Sequence, residues 1–164
     1  MTMTRVYIGL GSNLGEKSAN IKEALTRLEA GGVARVIACS AEFVTQPVGV
    51  DGKIDASQPD FINAAIEAET ALSPEELLVA LKEIETAMGR EAVRQCGPRL
   101  IDMDILLYGN EIVEHDGLTI PHARMHERDF VLRPLAEIAP DAMHPKLKLT
   151  AAEMLAKLSK NADS

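Results

Sequence analysis

Two aspartates, Asp102 and Asp104, stand two residues apart in an otherwise apolar stretch, residues 97–108 (GPRLIDMDILLY). Successive side chains of a strand point to opposite faces, so this spacing puts both carboxylates on one face. Ile101, Met103, Ile105 and Leu107 fall on the other face, which is wholly apolar and is expected to be buried. Leu100, Leu106 and Tyr108 share the face of the aspartates. Neighbouring like charges repel unless a cation lies between them. Hard divalent cations prefer carboxylate oxygen, and magnesium is usually held by one or two carboxylates together with substrate phosphates. A solvated strand face is the plainer alternative. Arg99 argues against it, because a fixed positive charge beside a carboxylate pair is what a polyphosphate site requires. Arg90 and Arg94 extend the same cluster.

Phenylalanine occurs only three times. Phe43 is read as core packing. Phe61 follows Gln58-Pro59-Asp60, and Phe130 follows the charged run His126-Glu127-Arg128-Asp129. Both rings can flank a planar ligand. Asn63, two residues beyond Phe61, can read the edge of such a ligand with an amide that both donates and accepts. His122 and His126 have the spacing of a helical metal pair, but Ala123, Arg124 and Met125 between them include no acid. Pro121 places His122 at an element boundary, so His122 is read as a hydrogen-bond donor to phosphate and His126 as a surface residue. His115 and His144 carry no signal. Gly9, Gly11 and Gly15 follow a GxGxxxG spacing, not the GxGxxG of dinucleotide sites, and are read as a tight turn with close backbone packing.

The elements that must position these groups follow from periodicity. Val6, Ile8 and Leu10 alternate as a first strand, and Asn13 is placed to cap a helix carrying Leu14, Ile21, Ala24, Leu25 and Leu28. Gly31-Gly32 stops that helix. Residues 33–45 read as a second, bent strand, residues 46–59 as a loop, and residues 61–70 as a third strand with Ile62, Ala64, Ile66 and Ala68 inward. Ser73-Pro74-Glu75-Glu76 is a capping box with proline at the first helical position, and its helix runs to Gly89. A second loop, residues 90–98, leads to the strand of the aspartates, and Asn110 is placed to turn a hairpin into residues 111–113. A second capping box, Thr150 with Glu153, opens a final helix. The order β-α-β-β-α-β is that of a ferredoxin-like α+β sandwich. Helices are expected on one face of a mostly antiparallel sheet, with Phe61, Asn63, Asp102 and Asp104 lining a cleft on the other.

A chain of 164 residues that is 46% hydrophobic suits one globular domain, residues 1–164. A net charge of −8 argues against nucleic acid or a membrane surface as partner. Cys39 and Cys96 form neither a disulfide framework nor a zinc pattern, which suits a reducing compartment. No signal-peptide anatomy or apolar run of membrane-spanning length is present. The expectation is a soluble, cytoplasmic monomer.

The blocks at residues 7–15 (YIGLGSNLG), 58–64 (QPDFINA), 97–108 and 120–134 (IPHARMHERDFVLRP) together resemble the 6-hydroxymethyl-7,8-dihydropterin pyrophosphokinase family of the folate pathway. The resemblance runs in the same order from about Tyr7 to Pro140. It implies a ferredoxin-like fold and transfer of the β,γ-pyrophosphoryl unit of ATP to the pterin hydroxymethyl group, with release of AMP and with two Mg²⁺ ions. It implies that Asp102 and Asp104 hold both metals, that Phe61 and Phe130 sandwich the pterin, and that Asn63 bonds its edge. Thr45 and Val48 would line the pterin pocket. Arg90, Arg99, His122 and Arg128 match positions that contact nucleotide phosphates or act in catalysis. Glu85, Arg94 and Ile105 match positions near the nucleotide. Cys96 stands where several members carry an aromatic residue, and Gln46 replaces a common proline. Two other readings of the Asp pair are a magnesium-dependent nucleotidyltransferase, which would release pyrophosphate, and a nonenzymatic ligand-binding module.

Overall fold

Alternation of apolar residues makes the first strand, β1 (Thr4–Ser12), with Val6, Ile8 and Leu10 buried on one side. The computed structural model describes residues 2–46, 53–89, 100–115 and 117–162, with backbone alone at 161 and 162. After β1 come α1 (Lys17–Ala30), β2 (Arg35–Cys39), β3 (Phe43–Thr45), β4 (Phe61–Thr70), α2 (Pro74–Ala87) and β5 (Asp102–Tyr108). The main sheet runs β2-β4-β1-β5, with β3 also paired to β4, and every pairing is antiparallel. This is the connectivity of the ferredoxin-like sandwich. Ile21, Ala24 and Leu28 of α1 and Leu77, Leu81 and Ile84 of α2 pack on Val6, Ile8, Leu10, Ile66, Met103 and Ile105 to form one core.

The chain continues through β6 (Val113–His115), β7 (Leu118–Ile120), a 3-10 turn at Met125–Glu127, α3 (Asp129–Ile138), β8 (Met143–His144), β9 (Leu149–Thr150) and α4 (Ala151–Ala162). Met125, Leu132 and Leu135, with Ala151 and Met154, meet Ala65, Leu106 and Leu107 in a second core. The sheet therefore carries helices on both faces rather than one. The added layer covers only part of the second face and leaves the Asp102 end open.

The local departures have physical causes. In the β1–β5 ladder Tyr7 faces Leu107 while Ile8 faces Ile105, so Leu106 is an extra residue and forms a β-bulge. Parity reverses beyond it: Leu107 joins Leu106 in the second core, and Tyr108 turns into the first, the opposite of strict alternation. The bent strand of residues 33–45 is two strands broken at Ser40. There Ser40 N donates to Ala65 O at 2.9 Å, Ala65 N donates to Ser40 Oγ at 2.9 Å, and Ala41 N donates to Glu137 Oε1 at 2.9 Å. Glu111 N closes a turn on Tyr108 O at 3.0 Å, but no hairpin back onto β5 follows, and β6 pairs β7 instead. Leu14 lies before α1 and is exposed.

Both expected capping boxes form. Ser73 Oγ accepts from Glu76 N at 3.2 Å while Glu76 Oε1 accepts from Ser73 N at 2.9 Å. Thr150 and Glu153 repeat the exchange at 3.1 and 2.9 Å. Replacing Ser73 with alanine removes the acceptor for one orphan donor of α2. Ser73→Ala is expected to lower stability by about 1 kcal/mol, read as a shifted urea midpoint with an unchanged slope.

Candidate active-site cleft

Toward the Asp102 end of the second face, β1 contributes two glycines, Gly9 and Gly11. Gly11 lies opposite Asn63 on one neighbouring strand and Asp102 on the other, and Gly9 likewise joins Ala65 to Asp104. Strands lie about 4.8 Å apart, so the Cα atoms of Asn63 and Asp102 are roughly 10 Å apart across the Gly11 backbone. A Cβ on Gly11 would stand 3.0 Å from Asn63 Oδ1 and 3.5 Å from Phe61 Cδ1. The glycines at 9 and 11 thus belong to the strand floor: Gly11 leaves room for Asn63 and Phe61, and Gly9 leaves room for Leu106, whose Cδ2 would stand 3.5 Å from a Cβ there.

One wall is built from β3 and β4. Asn63 is nearly buried, and its Nδ2 donates to Thr45 Oγ1, which fixes the amide's direction. Thr45 lies opposite Phe61, and half-buried Phe43 lies opposite Asn63, apart from both cores. Asn13 does not cap α1, whose N-cap is Glu16 without a side-chain bond. Its fully buried amide instead donates to Gln58 Oε1 at 3.1 Å and Pro59 O at 3.3 Å. Gln58 Nε2 reaches Asp55 Oδ2 at 2.8 Å, and Lys17 Nζ donates to Asp60 O at 2.8 Å. The turn after β1 therefore holds the segment that delivers Phe61. Only the asparagine in a glycine-rich turn hinted at this in the sequence.

Across the floor, Asp102 is half-buried and Asp104 exposed. Among the described residues no group of three or more His, Cys, Asp and Glu side chains gathers. Two carboxylates alone leave most of a coordination sphere to other oxygens. That suits magnesium shared with phosphates and water, and does not suit a closed four-ligand zinc site. Glu85, from the end of α2, is 2% exposed, and its Oε2 accepts from Met103 N at 2.7 Å. Ile105 lies in the first core, on the face opposite the aspartates.

The far wall comes from the segment after β7. His122 N donates to Leu106 O at 3.1 Å, which anchors it beside the bulge. His122 Nδ1 accepts from Arg124 N at 3.4 Å, so in the neutral ring the proton sits on Nε2. Burial first, and then Arg128, push the His122 pKa below its ordinary value, while Asp102 pulls it upward. Arg128 and Asp102 are thus both close enough to act on the His122 ring. Arg128 stacks on Phe130 with its guanidinium carbon 5.6 Å from the ring centroid, a cation–π contact at the start of α3. His126 is only partly a surface residue, since its Nδ1 is buried with no hydrogen-bond partner. His144 is 4% exposed and its Nδ1 accepts from Lys146 N and Leu147 N at 3.3 and 3.1 Å, holding the β8–β9 turn. Val48, Arg90, Arg94, Cys96 and Arg99 lie outside the described residues.

Residues 7–140 match the family described as 7,8-dihydro-6-hydroxymethylpterin-pyrophosphokinase (HPPK). The 2-amino-4-hydroxy-6-hydroxymethyldihydropteridine pyrophosphokinase of Methylorubrum extorquens is 47% identical over 139 residues, covering 85% of each chain. That of Haemophilus influenzae is 41% identical over 147 residues, covering 90% of this chain and 89% of its own. In three dimensions the chain resembles Plasmodium falciparum HPPK-DHPS with a TM-score of 0.76 at 16% identity. That match covers 99% of this chain and 46% of the Plasmodium chain, so this chain spans less than half of that longer protein. The agreement over residues 7–140 takes in the glycine floor, both walls and the aspartate strand, and the chain belongs to the 7,8-dihydro-6-hydroxymethylpterin-pyrophosphokinase family.

Proposed function

We propose that this cleft transfers the β,γ-pyrophosphoryl unit of ATP to the hydroxymethyl oxygen of 6-hydroxymethyl-7,8-dihydropterin, giving AMP and the pterin diphosphate in folate biosynthesis. The observation that carries the reading is the row Asn63–Gly11–Asp102. It sets an edge-reading amide and a carboxylate about one strand either side of an open floor, roughly 10 Å apart. A pterin bonded to Asn63 and lying between Phe61 and Phe130 spans much of that gap and directs its hydroxymethyl arm toward the aspartates. Thr45 and Val48 complete the pterin pocket.

Asp102 and Asp104 would hold two Mg²⁺ ions, whose positive charge would offset that of the triphosphate. Arg90, Arg94, Arg99 and Arg128 supply the further positive charge that the equatorial oxygens need as the bond to the leaving AMP breaks. Arg128 is pre-oriented by its stacking on Phe130. His122 donates from Nε2 to a phosphate oxygen, a role open to the neutral ring that its lowered pKa favours. Ile105 supports the strand on which the aspartates stand, within reach of the adenine side. No side chain is assigned as general base. Positioning and electrostatic stabilisation carry the rate. The working unit is a single domain, residues 1–164, acting as a cytoplasmic monomer. Its cysteines have no pairing pattern, and among the described residues no helix is long and apolar enough to cross a membrane.

ATP labelled at the β-phosphorus decides the reaction. The label is expected in the pterin product, with AMP formed one for one. ADP with a singly phosphorylated pterin would show an ordinary kinase, and free pyrophosphate with a nucleotidylated pterin would show a nucleotidyltransferase.

Asp102→Asn and Asp104→Asn are each expected to keep the fold and to lose nearly all Mg²⁺-dependent turnover. Circular dichroism and AMP release at saturating Mg²⁺ measure the two halves of that statement.

Gly11→Ala brings a Cβ to 3.0 Å from Asn63 Oδ1 and must move the amide that reads the pterin edge. Pterin binding is expected to weaken by about 1–2 kcal/mol, the scale of a hydrogen bond lost at a desolvated site. Affinity for an ATP analogue, measured by titration calorimetry in the absence of pterin, should stay near its starting value.

A further inference from the structure

The residue between the aspartates has its own anchor. Met103 buries its side chain in the first core, and β5 is an end strand of the main sheet. On such a strand every second backbone N–H turns away from the neighbouring strand and needs an acceptor from elsewhere. Met103 N finds it in Glu85 Oε2 at 2.7 Å. Glu85 is 2% exposed, on a face of α2 whose other buried members are Pro74, Leu77, Leu81 and Ile84. A leucine there would pack against the same neighbours but leave the Met103 N–H without its acceptor.

We infer that Glu85 is a positioning residue for the cation site: by holding Met103 N–H it sets the backbone of residues 102–104, and with it the separation and direction of the Asp102 and Asp104 carboxylates. This rests on the reading of those aspartates as the magnesium ligands. The two carboxylates repel each other when no cation is bound, and among the described residues the strand that carries them has a neighbouring strand on one side only. A charge-assisted bond, roughly twice as strong as a neutral one, holds the intervening peptide against that repulsion. The role asked of Glu85 is acceptance of a hydrogen bond. A glutamine can still provide that, and a leucine cannot.

The test compares wild type, Glu85→Gln and Glu85→Leu. The first readout is hydrogen exchange at the Met103 amide, measured by NMR without nucleotide or metal. The second is the Mg²⁺ concentration that half-saturates binding of a nonhydrolysable ATP analogue. Glu85→Leu is expected to speed exchange at Met103 and to raise the Mg²⁺ requirement about 10–100-fold, the range for groups that orient metal ligands. Glu85→Gln is expected to keep Met103 protected and to recover most of the Mg²⁺ affinity. If Glu85→Leu does not fold, Glu85→Gln decides alone. Protected Met103 with a near-native Mg²⁺ requirement supports the inference. Protected Met103 with the Mg²⁺ affinity lost overturns it, because the carboxylate would then act through its charge on metal or nucleotide. Equal weakening of pterin binding, measured without Mg²⁺, would also overturn it by showing a fold-wide effect. A wild-type protein without Mg²⁺-dependent turnover would strike the reading of the aspartates themselves, whereas Met103 exchange still reports whether Glu85 holds the strand.

Discussion

The pairing of β1 with both β4 and β5 is the constraint on which the site depends. One register brings Asn63, Gly11 and Asp102 into a single row, and Ala65, Gly9 and Asp104 into the next. Strand pairing has a period of two, so a slip by one residue would send the amide or the aspartates to the opposite face. The buried residues Val6, Ile8, Leu10, Ile66 and Met103 resist such a slip, because it would expose them together. The same apolar alternation that stabilises the first core thus fixes the distance between Asn63 and the two aspartates.

The second face is divided between stability and access. At one end Ala65, Leu106 and Leu107 lie beneath α3 and α4. At the other end Gly11 lies between Asn63 and Asp102, and Asp104 is exposed. The bulge at Leu106 marks the boundary, since it turns two successive leucines toward the second core immediately after Asp104 and Ile105. His122 N binds the carbonyl of that same Leu106. The irregularity that ends the open floor therefore also anchors the wall that bears His122, and α3 begins a few residues later with Arg128 and Phe130 at the cleft edge. A perfectly regular β5 would leave Leu107 in the first core and deprive the second of part of its contact.

Much of this was legible in the chain; α3 was not read, and several of the other failures share a cause. The six principal elements and both capping boxes follow from local periodicity and local side-chain chemistry. The Asp pair was visible because two charges on one face of an apolar strand break a pattern. The bulge, the break at Ser40 and the pairing of β6 with β7 depend on partners distant in sequence, and no local preference announces them. Asn13 is the clearest case. Its type and place suit a helix cap, but α1 begins later with Glu16 at its N-cap, and the Asn13 Nδ2 donates instead to Gln58 and Pro59, 45 and 46 residues away. Glu85 is similar: the resemblance sets it near the nucleotide, but only the packing of α2 on β5 reveals that it is buried against the Met103 backbone donor.

The electrostatics of the chain follow from where charge is confined. A net charge of −8 opposes the approach of a polyphosphate, and two aspartates in the floor oppose it further. Screening limits the first effect to about 8–10 Å at physiological ionic strength, so the balance is set by groups within one Debye length of the floor. Within that range lie a neutral His122, which adds a donor without a charge to desolvate, and Arg128, held on an aromatic face. A cation bound to the aspartates reverses the sign of the floor itself. An acidic protein can in this way bind a strongly anionic ligand, provided that the two carboxylates are held close enough to share their counter-ions. Their separation, fixed by the backbone between them, is therefore as much a part of the binding chemistry as the charges themselves.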